Sequence, residues 1–152
     1  MEQRIAARVL GIGNVLWADE GFGVRAVEAL NAAFVFPDGV ELQDGGTLGL
    51  ALYDAVASAQ RVLVFDAVDF KLAPGTVKVL RDAEVPAWGA AKLSPHQTGF
   101  NEVLALAAIK DRYPDAITVV GVQPVDELAC GFGRRALQEL AVAIDHGKLL
   151  AH

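Results

Sequence analysis

Arg61-Val62-Leu63-Val64-Phe65-Asp66 is an unbroken apolar run bounded by an arginine and closed by an acid. A run with no polar alternation reads as a central strand covered on both faces, and Asp66 marks its carboxyl end. The next strand-like segment, Thr76 to Leu80, does alternate, through Val77 and Val79. A parallel crossover takes about a dozen residues or more, yet only Ala67 to Gly75 lie between the two. The fourth strand is therefore expected to run antiparallel.

Working outward, Ala7 to Ile12 reads as a buried strand that turns at Gly13-Asn14. Gly21 to Ala33 reads as a helix with Val24, Val27 and Leu30 inward. Val40 to Gln43 is expected to be a short strand stopped by Asp44-Gly45-Gly46. Thr47 to Ala59 reads as a helix, with Leu48, Ala51, Leu52, Ala55, Val56 and Ala59 on one face. Phe100 to Lys110 and Arg134 to His146 read as further helices, and Ile117 to Val122 as a last buried strand. Strands alternating with helices predict an α/β fold, a mostly parallel sheet between helical layers.

The chain has 152 residues, 53% of them hydrophobic and 21% charged. That length suits one domain, able to bury about two-thirds of its surface in one core. The longest apolar run, Val103 to Ile109, is far below the roughly 18 residues of a spanning helix, so no membrane insertion is expected. The segment after Met1 carries Glu2, Arg4 and Arg8 and lacks the apolar stretch of a secretory signal. With Cys130 as the single cysteine, no internal disulfide can form, which fits a reducing, cytoplasmic setting. Net charge is −6 and basic residues do not cluster. Nucleic acid, which needs clustered Lys and Arg against its phosphates, is a poor partner.

Ligands of open parallel sheets bind outside the carboxyl ends of the strands. That rule gathers Asp19 and Glu20 after strand one, Asp44 after strand two, Asp66 and Asp69 after strand three, and Gln123 after strand five. The loop Ser94-Pro95-His96-Gln97, which leads into a helix, could meet the same rim. Each residue has a plainer reading. Asp19 and Glu20 can cap a helix N-terminus, Asp44 before two glycines is an ordinary turn former, and His96 can be a simple loop histidine. Asp66 resists this, because an acid ending a buried strand must be solvated, paired or metal-bound. Two carboxylates and one imidazole, Glu20, Asp66 and His96, can together hold a divalent cation such as zinc or nickel, and the donor types do not choose between them.

Other chemistries find less support. There is no His-Glu-x-x-His helix motif and no Gly-x-Ser-x-Gly elbow. Cys130 has no histidine beside it in sequence and reads as an inert thiol. Gly11-x-Gly13 invites a dinucleotide reading, but position 16 is Leu16 where the fingerprint needs glycine. Carboxylates ahead of the following helix would also repel a pyrophosphate.

Val9-Leu10-Gly11-Ile12-Gly13-Asn14 with Trp17-Ala18-Asp19-Glu20-Gly21-Phe22-Gly23-Val24 resembles the opening signature of nickel–iron hydrogenase maturation endopeptidases. Asp44-Gly45-Gly46-Thr47, Phe65-Asp66-Ala67, Pro74-Gly75-Thr76, Ser94-Pro95-His96-Gln97-Thr98-Gly99 and Gly121-Val122-Gln123-Pro124 are similar to its later blocks, in the right order. The stretch Val125 to Gly133 departs from the family pattern, which carries further acidic and glycine residues there. The resemblance implies a three-layer α/β/α sandwich with a five-stranded mixed sheet in order 2-1-3-5-4, strand four antiparallel.

It further implies that Glu20, Asp66 and His96 bind nickel, which the substrate supplies, with zinc or cadmium able to take its place. Asp44 matches another acidic family position, implying a supporting or catalytic role. The implied activity is removal of the C-terminal extension of a hydrogenase large-subunit precursor. Families of this kind are grouped with aspartic-type endopeptidases, although no pair of Asp-Thr/Ser-Gly motifs is present. Whether the metal polarises the scissile carbonyl, activates water or is only recognised stays open at this level. Two other readings compete: a nickel-dependent checkpoint protein that binds the precursor without cutting it, and a nucleotide-binding module. Neither the oligomeric state nor the particular hydrogenase is legible.

Overall fold

The computed structural model describes residues 3–13, 21–85 and 95–124, with side chains of the last stretch from Gly99 onward. Its strands are β1 (Ile5–Ile12), β2 (Val40–Gly46), β3 (Ala59–Ala67), β4 (Val77–Arg81) and β5 (Ala116–Val122). They form one five-stranded sheet in the order β2-β1-β3-β5-β4. β1 pairs parallel with β2 and β3, and β3 with β5, whereas β4 runs antiparallel to β5. The short connection after Asp66 thus has the expected consequence. The apolar run that ends there is central, paired on one side with β1 and on the other with β5.

Alternation along β3 sends Val62 and Val64 into one core and Phe65 and Ala67 into the other. Helix α1 (Phe22–Ala33) covers the second core with Phe22, Ala26, Val27 and Leu30. Helices α2 (Tyr53–Ala57) and α3 (Pro95–Ile109) cover the first with Ala55, Val56, Phe100, Val103, Leu104 and Ala107. The result is the three-layer α/β/α sandwich.

Glycines set how closely α1 lies on the sheet. A Cβ on Gly23 would stand 2.2 Å from both the Ile12 and Phe65 carbonyl oxygens, and one on Gly11 would stand 2.2 Å from the Gly23 oxygen. Only hydrogen fits at those two positions. The N-terminal turn of α1 is thereby pressed against the carboxyl halves of β1 and β3.

Three expectations need correction. Thr47 to Ala59 is not one helix: a 3-10 turn spans Gly49–Leu52, α2 covers only Tyr53–Ala57, and Ala59 already opens β3. Gly49 has φ +53°, outside the right-handed helical region, and a 3-10 turn repeats every 3.0 residues rather than 3.6. Leu48 therefore leaves the apolar face and is exposed, while Leu52 and Val56 stay buried. Second, β2 does not stop at Gln43 but continues through Asp44-Gly45-Gly46, with the register slipping beside Gly11 and Ile12. Third, α3 begins at Pro95 rather than Phe100, as suits proline's fixed φ at a first helical position. His96 belongs to a helical first turn, not to a loop. The expected helix from Arg134 to His146, and Cys130, His146 and His152, lie outside the described residues.

Candidate functional site

The carboxyl ends of β1, β2, β3 and β5 share one edge of the sheet. β1 and β2 are closed there by the Gly13 N–H donating to the Gly46 carbonyl at 3.0 Å. β3 and β5 are closed by the Val68 N–H donating to the Val122 carbonyl at 2.9 Å.

Asp66 is the penultimate residue of β3, paired in register with Gly121, and its exposure is 0%. Strand alternation puts its side chain on the α2 and α3 face. The α3 N-terminal turn reaches the same edge: a Cβ on Gly99 would stand 3.1 Å from the Gly49 Cα, which lies just past the end of β2. The backbone of His96 falls in that turn, three residues before Gly99, while its side chain lies outside the described residues. Glu20 also lies outside them. Gly23, three residues later in sequence, has its backbone against Phe65, the neighbour of Asp66. Among the described residues no three metal-binding side chains form a group, two of the three expected ligands not being among them.

Asp44 is placed differently. It is exposed and pairs in register with Gly11, on the α1 face of the sheet, with β1 between it and β3. Its Oδ1 accepts the Gly46 N–H at 2.8 Å, which holds Gly46 at φ +42°. The carboxylate makes the turn that two following glycines foretell, and the sheet does not bring it to Asp66.

Asp69 is engaged locally. Its Oδ1 accepts the Lys71 N–H at 3.0 Å and the Gln123 side-chain amide at 3.1 Å, and its Oδ2 pairs with the Lys71 ammonium. The Lys71 and Gln123 hydrogen bonds hold its carboxyl down at about 2. It is ionised throughout the physiological range and so is no proton donor there.

Gln123 is the functional-edge residue that sequence reading undervalued. It is buried, and its Oε1 accepts the N–H groups of Phe70 at 2.7 Å and Leu72 at 3.2 Å. Its own N–H and carbonyl bond to Thr76 and Gly75. One side chain thus fixes the loop that follows Asp66. The signal was a lone amide directly after a buried strand, where every polar group needs a partner.

Two carboxylates and an imidazole are a donor set for a divalent ion of the nickel or zinc type, and a wholly buried carboxylate at a strand end suits such an ion. Fold and edge define a three-layer α/β protein that collects acidic side chains where its parallel strands end. A model of the hydrogenase maturation protease family matches residues 24–144, and the chain belongs to that family. It is 60% identical over 119 residues to a hydrogenase expression/formation protein, HupM, of Azotobacter chroococcum mcd 1, a match covering 78% of this chain and 57% of that one. To the hydrogenase 2 maturation protease of Escherichia coli K12 it is 47% identical over 117 residues, covering 76% of this chain and 71% of that one. The chain thus spans little more than half the length of several curated relatives it matches. The solved structure of the hydrogenase maturating endopeptidase HybD from E. coli superposes with a TM-score of 0.81 at 38% identity, covering 94% of each chain.

Proposed function

We propose that this chain is an endopeptidase that removes the C-terminal extension of a nickel–iron hydrogenase large-subunit precursor once nickel has been inserted. The observation that carries the reading is Asp66, a fully buried carboxylate ending the central strand, in a chain of the hydrogenase maturation protease family. Nickel arrives on the substrate. Glu20, Asp66 and His96 complete its coordination, and that contact positions the scissile bond, so the gain is one of proximity. The close seating of Gly23 on Phe65 supports this, because it brings the chain just after Glu20 to the carboxyl end of β3. Asp44 takes a supporting role at the edge of the same rim. Zinc or cadmium would occupy the same donors, and the protein works in the cytoplasm.

The experiment mixes purified protein with nickel-loaded and with nickel-free precursor and reads the products by intact mass. Loss of a C-terminal fragment from the nickel-loaded precursor alone is expected. Stable binding of the nickel-loaded precursor with no fragment released would favour the checkpoint reading, and equal cutting of both forms would remove nickel from the account.

A further inference from the structure

β2 is an edge strand with no partner on its outer side among the described residues. The Ala7 N–H donates to the Gly39 carbonyl at 3.0 Å, which sets the alternation along the strand. Gly39, Glu41 and Gln43 turn their backbone groups toward β1, so Val40, Leu42 and Asp44 turn theirs outward; the Val40 N–H is taken by the Pro37 carbonyl at 3.1 Å, which leaves the amides of Leu42 and Asp44 to face away from the sheet. The side chains of those same three residues fall on the α1 face. With Val27, Phe34 and Val35 they line a groove of about 560 Å³ between α1 and the edge. Val35 is fully exposed and Phe34 is 40% exposed. The outward amides of Leu42 and Asp44, without a backbone partner among the described residues, and the exposed apolar side chains beside them form a template that proteins normally cover.

We propose that this edge is where the substrate polypeptide docks, as an added strand beside β2 that places alternate apolar side chains in the groove. The inference rests on the peptidase reading, which makes the occupant a polypeptide. Outward N–H and C=O groups on the alternate residues Leu42 and Asp44 fit an extended chain and not a helix or a small molecule. Glu28 and Asp44, which also line the groove, favour a segment with a basic side chain. Asp44 ends the groove on the carboxyl rim, so a docked strand leads toward the site. It would lie three strand spacings from β3, roughly 14 Å, which about four extended residues cover. The docked segment therefore stands some four residues from the bond that is cut.

The test uses the full chain and a synthetic peptide covering the precursor's C-terminal extension and the residues before it. Peptide is expected to slow amide hydrogen exchange at Leu42 and Asp44, and N-methylation of alternate peptide amides should remove that effect. Val35→Asp alters a fully exposed side chain and should leave thermal unfolding in place. It is expected to raise KM for nickel-loaded precursor by about tenfold, the worth of one buried valine, with kcat unchanged. Unchanged exchange at Leu42 and Asp44, or a wild-type KM in Val35→Asp, would overturn the proposal. Slowed exchange in a protein that cuts no precursor would leave the docking edge standing and the peptidase reading fallen. Cutting with unaltered exchange would do the reverse.

Discussion

Asp66→Asn should reduce cleavage of the nickel-loaded precursor by at least about 100-fold, the loss expected when reacting groups are no longer held in register. Asparagine keeps the volume and one side-chain oxygen of the aspartate, so the packing around a fully buried position changes little. It lacks the negative charge that a nickel ligand supplies. Thermal unfolding should therefore stay within a few degrees of wild type while fragment release disappears, both read on the same preparation. Glu20→Gln and His96→Ala should behave alike, because removing any member of one ligand set breaks the same positioning. Full cleavage by all three variants would discard the site assignment.

Gly23→Ala is expected to be the most damaging single change to the fold. The added carbon would meet two backbone carbonyl oxygens at 2.2 Å, and neither can rotate aside as a side chain could. Helix α1 must lift from the sheet. Overpacking of this kind costs about 3 kcal/mol; the better helix propensity of alanine offsets about 1 kcal/mol. A net loss of about 2 kcal/mol lowers Tm by roughly 6 °C in a chain of this size. A calorimetric scan that finds Tm unchanged would show that α1 is not seated as described. Because Phe65 precedes Asp66, the same lift should also impair cleavage.

The central strand, the antiparallel β4 and the inner stripe of α1 were legible because each follows from a local rule: an unbroken apolar run, a short connection, a helical period. The second helix was not. Leu48, Ala51, Leu52, Ala55 and Val56 keep helical spacing on paper, yet Gly49 adopts a positive φ that periodicity cannot register. Pro95 shows the converse: proline at a first helical position is a start signal, and the helix begins there, five residues ahead of Phe100. At the site, the burial of Asp66 was readable from the run before it. The turn role of Asp44 was readable too, from the two glycines after it. What distinguishes Asp66 from Asp69 was not, because the Lys71 and Gln123 bonds that occupy Asp69 depend on how a loop folds back on β5. The groove beside β2 was equally hidden. Val27, Val35 and Leu42 meet only once α1 lies against the edge of the sheet.

In the proposed reaction, cleavage depends on Glu20, Asp66 and His96 sharing the nickel that the precursor brings. X-ray absorption at the nickel edge tests this most directly, comparing the nickel-loaded precursor alone with its complex with this protein. The complex should show added oxygen and nitrogen neighbours, with an imidazole signature that His96→Ala removes. A nickel spectrum identical in the precursor and in the complex would contradict it.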